Sequence, residues 1–70
     1  MKYTVIVEEG PESFGAYVPD LPGCVATATT REETIRLIRE AIGLHLDALR
    51  RDGEAPPLPA CTSVVIDIAA

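Results

Sequence analysis

Residues 25–34 read "VATATTREET", and a change of pattern inside this stretch decides the fold. From Val25 to Thr29 the residues alternate. Val25, Thr27 and Thr29 share one side, while Ala26 and Ala28, with Cys24 before them, share the other, which is the period-two pattern of a strand. At Thr30 the alternation stops. Thr30-Arg31-Glu32-Glu33 has the spacing in which a threonine hydroxyl accepts the amide three residues on and the glutamate reaches back to the cap amide. A helix therefore begins at Arg31, with Thr30 and Glu33 as its structural start. The strand leading into it presents only small side chains, Cys24, Ala26 and Ala28, on one face, so a helix can approach that face closely and Cys24 is read as a packing residue.

The helix continues through "IRLIREAIGLHLDALRR" and ends at Gly53, after Arg50 and Arg51, whose charges suit the negative end of the helix dipole. At about 100° per residue, Ile35, Ile38, Ile42, Leu46 and Leu49 form one apolar stripe. Leu37, Ala41, Leu44 and Ala48 form a second beside it, with His45 between the two. Together the stripes cover roughly 200°, about twice what packing on one sheet needs. Leu37, Ala41, Leu44, His45 and Ala48 are therefore the expected interface with another copy of the chain, in a dimer or tetramer.

Upstream of the opening stretch, residues 2–8 alternate as a first strand, and Phe14 to Val18 alternate as a second, with the breakers Gly10 and Pro11 between them. These two segments make a hairpin. Pro19 stops the second strand, and "PDLPGC" (19–24) turns the chain into the third. Pro22 and Gly23 fit the central positions of a type II turn spanning Leu21 to Cys24. Asp20 stands out here, because the amide two residues on that an aspartate ordinarily caps belongs to Pro22, which has no N–H. Its carboxylate must find Gly23, another loop or a partner, and Asp20, Leu21 and Pro22 are the candidate partner-binding residues. Downstream of the helix, Glu54 to Pro59 is a stiff extended connection. Thr62 to Ile68 then alternates as a last strand, expected to lie parallel to the first.

The order is thus β-β-β-α-β, an α+β fold in one domain over residues 1–70. It consists of an antiparallel meander, one strand parallel to the first, and a single helix on one face, because right-handed crossover puts the helix there. A domain of 70 residues buries only about 60% of its unfolded surface. Apolar residues are nevertheless 47% of the chain and mean hydropathy is +0.18, which again points to self-association. Net charge is −5, so no basic face exists to bind nucleic acid, and a basic protein is the better-matched partner. The first residues are too briefly apolar for a signal peptide or a membrane span, and the expected location is the cytoplasm.

No arrangement of residues points to catalysis, a metal or a cofactor. His45 is the one histidine and lies in an apolar arc, which favours a packing role over that of a base. Cys24 and Cys61 lack metal-ligand spacing. Glu8, Glu9, Asp20, Asp47 and Asp67 fall on different elements and faces, against a two-metal nuclease site.

With these elements in order, residues 17–60, "YVPDLPGCVATATTREETIRLIREAIGLHLDALRRDGEAPPLPA", resemble the HicB family of antitoxin-like domains. The resemblance implies a partial ribonuclease-H-like fold without the catalytic carboxylates. It also implies a partner, a small basic messenger-RNA-cleaving toxin of the HicA type, which the domain binds and blocks. Many members carry a further C-terminal DNA-binding segment; this sequence resembles the short form, so operator binding is not expected. The competing readings are a stand-alone oligomeric regulatory or ligand-binding module and a degenerate ribonuclease-H-like enzyme.

Overall fold

A computed structural model describes residues 1–69. Three strands, β1 (Ile6–Glu9), β2 (Phe14–Tyr17) and β3 (Val25–Ala28), precede one helix, α1 (Arg31–Arg51). The sheet order is β1-β2-β3, antiparallel throughout, so the expected meander forms. Register pairs Val7 with Ala16 and Ala16 with Ala26, and these residues lie on the face that meets the helix. The small side chains Ala16, Ala26 and Cys24 let α1 settle over β2 and β3, and α1 touches β1 least.

β1 begins at Ile6, later than the alternation from residue 2 predicts. The reason lies across the sheet. Continuing the register would set residues 2–5 against residues 18–21, where the chain is already turning and the Leu21 amide bonds to the Val18 carbonyl (3.0 Å).

The corner between β2 and β3 is a core element. The Cys24 amide donates to the Leu21 carbonyl at 3.1 Å and Gly23 takes φ +86°, the left-handed conformation that a type II turn needs at that place. This geometry drives Leu21 inward, where it is 0% exposed, and Leu21 and Cys24 join Ala16, Val18 and Ile38 as the buried apolar centre.

Helix α1 starts and stops where the residues dictate. Thr30 is the N-cap, its hydroxyl accepting the Glu33 amide at 3.1 Å. The reciprocal half of the expected box is not made: the Glu33 carboxylate turns outward to Arg36, which also bonds Glu40 at 3.2 Å. A guanidinium one turn away offers two charged donors, and the cap amide offers one neutral one. At the other end the Glu54 amide reaches the Leu49 carbonyl and the Gly53 amide the Arg50 carbonyl, with Gly53 at φ +76°. This paired closure is the Schellman arrangement, and it satisfies carbonyls the helix would otherwise leave open.

The expected last strand over Thr62 to Ile68 does not form. Residues 54–69 carry no strand, and the sheet has three strands among the described residues. What holds this segment is side-chain chemistry at its base. Tyr3 Oη donates to the Pro57 carbonyl (2.5 Å), Thr4 Oγ1 donates to the Cys61 carbonyl (2.6 Å), and Asp20 accepts the Ala60 and Cys61 amides. Beyond Cys61 the chain runs free of the domain. Its radius of gyration is 13.8 Å, against about 11 Å for a compact chain of this length, and its long axis is 48 Å.

Candidate functional site

The residues predicted to meet partners lie in three places. At the corner, Asp20 Oδ2 accepts from Ala60 N at 3.0 Å and Cys61 N at 3.1 Å. The donor denied by Pro22 is replaced by two donors from a loop 40 residues away. These amides, that of Cys61 foremost, hold the Asp20 carboxyl below the usual carboxylate range, and the same carboxylate pushes the Cys61 thiol up. Leu21 corrects the expectation of a contact residue: it is fully buried, because the type II turn needs an anchor in the core. Pro22 remains exposed.

The second place is the helix. Of Leu37, Ala41, Leu44, His45 and Ala48, the structure sends Ala41 to the core's edge, leaves Leu37, His45 and Ala48 half-buried, and exposes Leu44 at 69%. Leu44 lies in a shallow groove with Gly43 between the carboxylates of Glu40 and Asp47. Both of those are partnered, by Arg36 and Arg50 respectively. Thr34, assigned to neither stripe, proves fully buried. Its hydroxyl bonds back to the Thr30 carbonyl at 2.8 Å, a polarity-cancelling contact that hydropathy counting does not detect.

The third place is the outer face of the sheet, opposite α1. Register puts Ile6, Tyr17 and Val25 in one row across the three strands. Tyr17 is 40% and Val25 63% exposed. Glu8 continues this face from β1, and Glu8, Glu9 and Glu12, gathered at the β1–β2 turn, are exposed and form no ion pair among the described residues. Alternation alone places each of these residues on its strand's outer side, but only pairing aligns them.

Cys24 and Cys61 are both free thiols, the first buried and the second exposed. Burial pushes the Cys24 thiol up, which fits packing and opposes nucleophilic use. Among the described residues no group of three or more histidine, cysteine, aspartate or glutamate side chains is placed to hold a metal ion, and no helix is long and apolar enough to cross a membrane.

A clamped corner, an acidic edge and an exposed apolar sheet row are thus the surface features of the domain. In comparison with known proteins, the profile described as "HicB_like antitoxin of bacterial toxin-antitoxin system" matches residues 3–68. The chain belongs to the HicB-like antitoxin family. Among its relatives is the UPF0150 protein Ta0767 of Thermoplasma acidophilum, 36% identical over 58 residues, covering 81% of this chain and 84% of the relative. A UPF0150 protein of Helicobacter pylori is 38% identical over 52 residues, covering 74% and 72%. A 14.9 kDa protein of Haemophilus phage HP1 is 32% identical over 57 residues; there the match covers 81% of this chain and 43% of the phage protein. Membership in the HicB-like family gives the domain a toxin–antitoxin role.

Proposed function

We propose that this HicB-like domain is a non-enzymatic, cytoplasmic antitoxin that binds and neutralises a small, basic, HicA-type messenger-RNA-cleaving toxin. The observation that carries this reading is the family match across residues 3–68. The charge distribution supports it. The chain has a net charge of −5, and the carboxylates of Glu8, Glu9 and Glu12, at the β1–β2 turn of the sheet that carries the Ile6–Tyr17–Val25 row, have no ion-pair partner among the described residues. An apolar centre with a charged rim is the composition of a protein interface, with the charges governing encounter rate and salt dependence. No cofactor is required for such blockade.

The test is co-expression with a small basic ribonuclease encoded beside this gene, followed by gel filtration and an RNA-cleavage assay. One co-eluting complex with cleavage suppressed is expected. Val25→Glu, at an exposed position of the row, should release the toxin while leaving helix content unchanged. Separate elution with undiminished cleavage rejects the reading and leaves a stand-alone module.

A further inference from the structure

Between the edge of β1 and α1 lies a groove of about 510 Å³, walled by Tyr3, Val5 and Val7 on one side and Ile35, Ile38 and Ile42 on the other. It is open because α1 packs mainly over β2 and β3, and because β1 pairs with β2 alone and keeps its outer edge unpaired. An apolar groove beside a bare strand edge has the shape of one more strand.

The chain delivers a matching segment to the mouth of this groove. Tyr3, itself a wall residue, donates to the Pro57 carbonyl, and Thr4, the neighbour of Val5, donates to the Cys61 carbonyl. Asp20 accepts the Ala60 and Cys61 amides. The chain is thus pinned beside its own groove as far as Cys61. Immediately beyond, Val64, Ile66 and Ile68 alternate as one face of a strand and are between 68% and 80% exposed. An aliphatic strip this continuous on a small domain marks a surface that is covered in solution.

Direction and length both fit the same chain. From Thr4 the edge runs forward through Val5 to the end of β1 at Glu9, five residue steps or roughly 17 Å, and the seven residues past Cys61 extend to roughly 23 Å. A strand that starts beside Thr4 follows that edge only by running the same way, parallel to β1. Thr4 alternates with the wall residues Tyr3 and Val5 and so lies on the outer side, where it holds Cys61. Counted from Cys61, alternation turns Val64, Ile66 and Ile68 toward the groove and Ser63, Val65 and Asp67 away from it. The anchor also decides between occupants. A tether this short gives the segment an effective concentration on the order of millimolar at its own groove, which a second chain or a free peptide at micromolar concentration does not match.

We propose that residues 62–68 are a strap, hinged at Thr62 and Ser63, that closes onto the β1–α1 groove of its own chain as a fourth strand parallel to β1, with Val64, Ile66 and Ile68 facing inward. The arrangement described above is its open position. Closing covers the strap and the groove walls together and withdraws the β1 edge from any other strand, while the Ile6–Tyr17–Val25 row on the opposite face stays uncovered. It requires no partner.

The experiment uses the full chain alone, followed by NMR. Methyl NOEs are expected from Ile66 to Val5 and Ile42, and in a mixture of isotope-labelled and unlabelled protein they should arise within one chain. The amides of residues 64–68 should exchange at least about tenfold more slowly than in an unstructured peptide. Ile66→Asp should abolish these NOEs and the protection with helix content unchanged. Because that variant could also weaken folding, a second one leaves groove and strap intact: Thr4→Val removes one bond at the anchor and should speed exchange at residues 64–68 several-fold, with the Ile38 amide unaffected. Wild-type amides that exchange as freely as a peptide overturn the proposal, and so do Ile66 contacts found only between labelled and unlabelled chains. Equal exchange in Thr4→Val and wild type overturns it as well, since the anchor would then not govern closure.

Discussion

Asp20 and Cys61, 41 residues apart, are joined twice: the aspartate accepts the Cys61 amide at 3.1 Å, and hydrogen bonding to the same carboxylate, more than its charge, holds the Cys61 thiol up in return. Asp20→Asn keeps the size of the side chain and removes the charge that makes these hydrogen bonds strong. Amide exchange at Ala60 and Cys61 should accelerate several-fold in that variant, with Ile38 unchanged. Equal protection in both proteins would show that the clamp does not hold the segment.

The same contact sets a pH response. Because folding depresses the Asp20 carboxyl, the folded domain binds this proton less tightly than the unfolded chain. Its stabilising contribution is complete above the ordinary aspartate value of about 3.9 and disappears as the pH falls through the lower folded value. NMR shifts of the Ala60 and Cys61 amides should stay constant from neutral pH down to about 4 and change below it, a transition absent in Asp20→Asn.

The two thiols should separate kinetically. Cys61 is exposed and Cys24 buried, so a thiol reagent at pH 8 should modify one cysteine in the native protein and the second only on unfolding. Asp20→Asn should speed the first reaction, since removing the carboxylate lowers the Cys61 pKa. Two equally fast thiols would contradict the placement of Cys24.

The corner should be the most sensitive part of the fold. Leu21→Ala deletes a fully buried side chain at a cost of about 2–5 kcal/mol. A domain of this size has only ~4–10 kcal/mol in total, so the variant should be largely unfolded on warming. Gly23→Ala forces a side chain into φ +86° and should cost about 1 kcal/mol, readable as a lower melting temperature.

Leu44 is 69% exposed and adds little to the core of its own chain. Leu44→Glu should therefore change stability by no more than about 0.5 kcal/mol if the helix face is open to water. A larger loss, accompanied by a lower assembly mass, would show that a second subunit covers this face and that Leu37, His45 and Ala48 belong to the same contact.

By itself the sequence determined everything that depends on neighbours along the chain. The Thr30 cap, the Gly53 closure, the Pro22–Gly23 turn and the alternation of three strands arise from backbone chemistry within a few residues, and each forms where the residues place it, except that β1 starts only at Ile6. Only the tertiary structure decided what depends on distant partners. It turned Glu33 away from its cap to Arg36, buried Thr34 and Leu21, aligned Ile6, Tyr17 and Val25 in one row, and gave Asp20 its donors at Ala60 and Cys61. Residues 62–68 show the difference most sharply. Their alternation is that of a strand, but a strand forms only where an edge accepts its hydrogen bonds, and these residues lie exposed without pairing to β1.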